Sequence, residues 1–155
     1  MLGKGFFTSS TLELSIVIAR GAGSVLALVL QRTGVGVFLG NLAIGLNLPG
    51  LWVIFVIAAV LKTAQGGTTV TMTTATAIIG PLLPSLGVSP VVAAMTICAG
   101  AMIFMHVNDS FFWVVSGFTK MEVGTAYKTL TVIMAVMGLV TFASVALFSS
   151  ILGFA

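Results

Sequence analysis

The chain has 155 residues, of which 59% are hydrophobic and 6% charged, and its formal net charge is +3. Soluble domains carry about 25% charged residues, so this composition excludes a soluble globular domain. The basic residues Lys4, Arg20, Arg32, Lys62, Lys120 and Lys128 are scattered and form no patch, which argues against a nucleic-acid partner.

Residues 33–61, 63–108 and 129–155 contain no Asp, Glu, Lys or Arg. A helix needs roughly 20 apolar residues to cross a hydrocarbon core about 30 Å thick, and each of these runs exceeds that. The expectation is an all-α integral membrane protein, multi-pass, with the lipid bilayer as its solvent. In chain order, residues 1–10 read as an interfacial tail. Residues 11–30 read as a span bent near Gly21, and Glu13 and Arg20 break up any signal-peptide core. Residues 31–47, with Gly34, Gly36, Gly40 and Gly45, read as a connection or a tilted helix. Pro49 opens a helix that Lys62 and Gln65-Gly66-Gly67 end.

Residues 68–76 alternate threonine with valine and methionine, a strand-like pattern. A lone strand in lipid leaves its backbone groups unpaired at several kcal/mol each, so helix is expected, with the hydroxyls bonded back to the preceding turn and a stop at Pro84. The arms at about 50–65 and 67–83 meet at the Gly-Gly tip, which suits a re-entrant hairpin or a plain pair of spans. Residues 90–105 read as the next helix, interrupted at His106-Val107-Asn108-Asp109-Ser110 and resumed at Phe111. Residues 117–128 form the most polar loop, and residues 129–152 the last span. Lys120 and Lys128 favour a cytoplasmic position for that loop. The single cysteine, Cys98, lies between Ile97 and Ala99 and reads as a buried, inert thiol.

Two interruptions carry the chemistry. A carboxylate at membrane depth costs about 3 kcal/mol on insertion scales and marks an ion or substrate path. Burial disfavours its charged form, so Asp109, with His106, is the candidate proton-coupling pair, while Asn108 and Ser110 are candidate substrate ligands. The competing reading is an ordinary surface loop. At Gln65, Gly66, Gly67, Thr68 and Thr69, a helix start points free N–H groups and the positive end of its dipole into the break. Such starts hold anionic groups in transporters; here the competing reading is a plain Gly-Gly turn. Lys62 reads as a helix-end anchor, and Arg20 as a substrate partner or equally as snorkelling to an interface or paired with Glu13. No metal cluster is visible and no cofactor is expected.

At these breaks the chain resembles a known family. Lys62-Thr63-Ala64-Gln65-Gly66-Gly67-Thr68-Thr69-Val70-Thr71-Met72-Thr73-Thr74-Ala75 is similar to the AQGS-TVAM-TA stretch of the gluconate permeases, the gluconate:proton symporters. His106-Val107-Asn108-Asp109-Ser110-Phe111-Phe112-Trp113 resembles their HVNDSGFW stretch, and Gly21-Ala22-Gly23 with Thr33-Gly34-Val35-Gly36 their GAGG and TGVG segment. The order and spacing also correspond. The resemblance implies the second-repeat portion of an ion-transporter-superfamily fold, with a re-entrant helical hairpin at about 50–83 and a broken membrane helix at about 90–116. It implies proton-coupled transport of a gluconate-like sugar acid by a single membrane domain, the C-terminal portion of a longer architecture whose N-terminal repeat is absent. A separately encoded N-terminal half or a second copy is then a candidate partner. Ser24 replaces a family glycine, Arg20 is unexpected in a span, and residues 1–19 match poorly.

Two other classes remain. One is a small membrane structural or assembly subunit without transport activity of its own. The other is a membrane enzyme using His106 and Asp109, against which stands the lack of a second His or Cys cluster and of a serine–base constellation beyond Ser110. The expectation is that the chain is not an enzyme.

Overall fold

The computed structural model describes residues 48–153, together with Val25, Val29, Arg32, Thr33, Phe38 and Gly45 as isolated positions. The bend expected near Gly21, the Arg20–Glu13 pairing and the glycine-rich connection lie outside the described residues. The described residues are helical, without a strand.

Helix α1 (Gly50–Gln65) starts after Pro49, whose fixed φ of −53° suits a helix entry. It buries Val53, Ile54, Ile57, Ala58, Leu61 and Lys62, a stripe at helical spacing, and leaves Trp52, Val56 and Val60 exposed. After the Gly66-Gly67 turn, α2 (Thr68–Ile79) folds back along α1. Its threonines behave as helix residues: Thr71, Thr73, Thr74 and Thr76 each donate a hydroxyl hydrogen to the carbonyl four residues earlier. These bonds satisfy the hydroxyls without outside partners, so Thr71 and Thr74 can be fully buried.

The helical path does not stop at Pro84. A 3-10 turn (Gly80–Leu82) and a one-turn helix α3 (Leu83–Leu86) prolong it to Gly87, which closes it at φ +64°. Pro81 and Pro84 each fall in the first turn of a new segment, where the missing N–H is no loss. Residues Thr68–Leu86 thereby form a 19-residue stretch long and apolar enough to cross a membrane.

Helix α4 (Pro90–Met102) is capped by Ser89, whose hydroxyl accepts from the Val92 N–H at 3.4 Å. It packs against α1, α2 and the last helix. Two glycines let the backbones approach. A β-carbon on Gly100 would lie 2.7 Å from both the Ala58 Cβ and the Phe55 carbonyl oxygen, and one on Gly138 would lie 2.9 Å from the Ile103 Cα. In lipid the hydrophobic effect gives helices little reason to associate, and close packing through small residues supplies much of the cohesion. Val53, Ile57, Ala58, Ala75, Ile78, Val92 and Ile97 form the main core, and Phe55, Ala99, Ile103 and Phe142 a second layer.

Cys98 is exposed rather than buried. The inner face of α4 is Val92, Ala93, Thr96, Ile97 and Gly100, and Cys98 shares the outer side with Val91 and Met95. In an apolar helix of a membrane protein, apolar neighbours in sequence do not distinguish the core from the lipid side.

The chain is irregular from Ile103 to Asp109, then helical in α5 (Ser110–Thr119). The polar loop is much shorter than 117–128. Lys120 at φ 52° closes α5, and a new helix begins three residues later, with α6 (Val123–Ala126), a π-helical turn (Tyr127–Thr131) and α7 (Val132–Leu152) in continuous succession. Polarity misleads here because Thr125 and Lys128 lie on a helix end. Residues Val123–Ile151 form the second stretch long and apolar enough to span, with Val136, Val140, Leu147, Phe148 and Ile151 exposed along it.

Candidate functional site

The two interruptions read from the sequence meet in space. At the first, Gly66 closes α1 at φ +76°, a left-handed value that suits glycine, and its N–H donates to the Lys62 carbonyl at 2.8 Å. At the second, Asp109 is the N-cap of α5: its Oδ1 accepts from the Phe111 N–H at 2.9 Å. Between them lies Lys62, fully buried in the last turn of α1. Its ammonium donates to the Gly66 carbonyl, to the Thr68 hydroxyl at 2.9 Å and to Asp109 Oδ2 at 2.5 Å. An ammonium has three N–H groups, and all three are used.

Lys62 is therefore not a helix-end anchor reaching for the membrane surface. It is turned inward because the turn carbonyl, a hydroxyl and a carboxylate together replace its hydration, which a single acceptor could not do. Asp109, 3% exposed, is likewise satisfied at both oxygens.

The break at 103–109 is built so that its freed carbonyls find donors. The Thr131 hydroxyl, from the π-helical turn, donates to the Met105 carbonyl. The Asp109 N–H donates to the His106 carbonyl at 2.9 Å, and the Trp113 indole N–H to the Val107 carbonyl at 2.7 Å. Across the site, the Asn108 amide donates to the Thr63 carbonyl at 2.9 Å. Irregular backbone at membrane depth is tolerated only with such partners.

Gly66, Thr68 and Asp109 thus gather around Lys62 and Asn108 meets the same turn, while Gln65 and Gly67 flank Gly66 in sequence. Thr69 and Ser110 lie on the first turns of α2 and α5 with exposed side chains. His106 is half-buried, and its Nδ1 is buried without a hydrogen-bond partner. The Gln65 Nε2 donates to the Thr74 hydroxyl oxygen at 3.3 Å. Thr74 spends its own hydrogen on the Val70 carbonyl, so its oxygen can only accept, which fixes the orientation of the amide. The Gln65 Oε1 is left buried and without a donor.

The start of α2 faces the break with about half a positive charge, but the end of α1 brings about the same negative charge to the same turn, and Asp109, which caps α5, balances Lys62. No side chain caps α2, so its first-turn N–H groups remain available. Among the described residues no group of three His, Cys, Asp or Glu could hold a metal ion.

Sequence reasoning missed Lys62 as a member of this site. A signal was available: Lys62 and Asp109 are the only charged residues between Arg32 and Lys120. Two lone opposite charges in so apolar a stretch have strong reason to pair.

Comparisons with known proteins point the same way. The chain matches the family described as GntP family permease over residues 7–151. It is 36% identical over 128 residues to the low-affinity gluconate transporter of Escherichia coli (strain K12), covering 81% of this chain and 29% of the relative. It is 34% identical over 130 residues to a gluconate permease of Pseudomonas aeruginosa, again covering 81% of this chain and 29% of the relative. The Gnt-II system L-idonate transporter of Escherichia coli is 32% identical over 127 residues, 80% of this chain and 29% of the relative. The chain thus spans about 29% of the length of these relatives. No solved structure matches it. These relatives are transporters and permeases rather than enzymes, and with its long apolar helices and its match over residues 7–151, the chain belongs to the GntP permease family.

Proposed function

We propose that the chain takes part in carrying a gluconate-like sugar acid across the cell membrane together with a proton. The observation that carries this reading is the buried Lys62–Asp109 pair at the meeting of the hairpin turn and the helix break. A buried ion pair is a poor way to stabilise a fold, since apolar residues of similar volume do as well or better. Its position among helix starts suits a binding centre instead.

In this reading the carboxylate of the substrate sits at Gln65, Gly66, Gly67, Thr68 and Thr69, against the uncapped start of α2. The donorless Gln65 Oε1 takes a hydroxyl of the polyol chain, and Asn108 and Ser110 complete the recognition from the other break. Asp109 exchanges the proton, with His106 beside it. The names of the relatives support the substrate class.

The same reading makes α1 and α2 a re-entrant hairpin at about 50–83 and residues 90–116 a broken membrane helix. Residue 1–155 then forms one membrane domain equivalent to the C-terminal, second-repeat portion of a longer transporter, multi-pass in the inner membrane. Helix α1, at 16 residues, is about 24 Å long, which is short for a full crossing. Surface of the path beyond residues 1–155 is supplied by an N-terminal half or by a second copy. Lys120 and Lys128 put their turn on the cytoplasmic side.

Uptake of radiolabelled gluconate into proteoliposomes tests this. The expected result is accumulation driven by an inward proton gradient, competed by unlabelled gluconate and lost in Asp109→Asn. Gradient-independent leakage equal to protein-free liposomes, both for the chain alone and with its candidate N-terminal half, would refute transport.

A further inference from the structure

We propose that Lys62 is a single cationic seat contested by two carboxylates, that of Asp109 and that of the incoming sugar acid, and that this contest couples substrate to proton. The inference rests on the transport reading above and gives Lys62, which that reading leaves without a step of its own, the coupling role.

The argument is one of donor counting. The Lys62 ammonium has three N–H groups, already committed to the Gly66 carbonyl, the Thr68 hydroxyl and Asp109 Oδ2. A substrate carboxylate entering at the start of α2 gains this cation only by displacing one acceptor. The Gly66 carbonyl is held by the turn, and the Thr68 oxygen is neutral and sits on the helix start itself. Asp109 is the like charge, and repulsion from the arriving anion falls on it alone.

Asp109 can yield without the site coming apart. Its Oδ1 bond to the Phe111 N–H is independent of Lys62, so α5 keeps its cap while Oδ2 lets go. A buried carboxylate without a counter-ion is held neutral by taking a proton. The proton adds to Oδ2. One anion and one proton enter together, and the site's net charge is unchanged. On release the reverse occurs: the substrate leaves, Oδ2 loses its proton and rejoins Lys62. Among the described residues, the charged or titratable groups near Asp109 are Lys62 on α1 and His106 in the same break; α2 contributes the Thr68 hydroxyl, and Tyr127 of the π-helical turn packs on Phe112.

The test is equilibrium binding of radiolabelled gluconate to the purified full chain in detergent across a pH series, with circular dichroism as the folding control. For the unaltered chain, affinity should weaken by about tenfold for each unit of rising pH, the signature of one proton taken up with the ligand. Asp109→Asn should bind with little pH dependence, and above neutrality more tightly than the unaltered chain, because the competitor is gone. Lys62→Gln should lose binding. Should that variant misfold, the neutral pair Lys62→Gln with Asp109→Asn restores folding and still fails to bind. The proposal is overturned if Asp109→Asn keeps the tenfold slope, if it binds more weakly than the unaltered chain while folded, or if the double variant binds as the unaltered chain does. An unaltered chain that binds gluconate with no pH dependence also overturns it, leaving the substrate reading in place. An unaltered chain that binds no gluconate overturns both.

Discussion

Gly66 and Asn108 touch at the level of the backbone: a β-carbon on Gly66 would lie 2.7 Å from the Asn108 carbonyl carbon and 2.9 Å from its Cγ. The hairpin turn and the helix break are therefore pressed together, and the ion pair between Lys62 and Asp109 is one part of a contact that includes main chain on both sides. A short-range clash and a left-handed φ act on the same glycine, whereas its neighbour Gly67 has φ −76° and only ordinary contacts, the nearest 3.6 Å away at Val70.

Gly66→Ala should accordingly be costly, and Gly67→Ala mild. The left-handed conformation alone costs an alanine about 1–2 kcal/mol, and the overlap with Asn108 adds about 1–3 kcal/mol of overpacking. Thermal unfolding in detergent should show a clear fall in Tm for the first variant and little change for the second. Equal effects would mean that the turn is not pressed against the break.

The glycines of the helices divide in the same way. Gly100 and Gly138 lie in backbone-to-backbone contacts, with atoms already 2.7 Å and 2.9 Å from where a β-carbon would be. Gly117 on α5 has nothing within 4 Å. Alanine at Gly100 or Gly138 should destabilise the packing of α4 by about 1–3 kcal/mol. Alanine at Gly117 should raise stability by up to about 1 kcal/mol through helix propensity. Denaturant titration of the three variants separates the two classes, and a stabilised Gly100→Ala would contradict the close approach of α4 to α1.

Both breaks are legible in the sequence as interruptions of apolar helical runs. Gln65-Gly66-Gly67 and His106 to Ser110 stand out against charge-free surroundings, and the helix hydrogen-bonding of the threonines follows from the cost of an unpaired strand in lipid. Less legible was what depends on direction around a helix axis. In a chain apolar on nearly every side, hydrophobic periodicity does not say which face is inward, so Cys98 was expected inside and Lys62 outside, and both are reversed. The extent of the last helix is hidden for a related reason: Thr125 and Lys128 read as loop residues, yet both are helical. The gathering of Lys62 with Asp109 spans 47 positions, and only the scarcity of other charges hinted at it.

Thr131 links the π-helical turn to the break by donating its hydroxyl hydrogen to the Met105 carbonyl. Thr131→Val keeps the shape of the side chain and removes the donor. The Met105 carbonyl then has no protein donor in its place, at a cost of about 1–3 kcal/mol. Hydrogen exchange should speed up in residues 103–109 while α1 and α2 keep their protection. Uniform loss of protection across the helices would show that the bond supports the whole packing rather than the break.

The exposure of Cys98 has two opposite meanings, and spin labelling at this single cysteine separates them. An exposed thiol on a soluble protein faces water. On α4 it lies beside Val91 and Met95, which are also exposed, on a helix of apolar residues. A polar aqueous face would not collect such side chains, and hydrocarbon is the solvent in which they are stable without a partner. A nitroxide attached at Cys98 in lipid bilayers should therefore collide often with dissolved oxygen, which partitions into the membrane core, and rarely with a water-soluble nickel complex. Frequent collision with nickel would instead put the outer face of α4 on an aqueous cavity, and would require another element of the transporter to line its opposite wall.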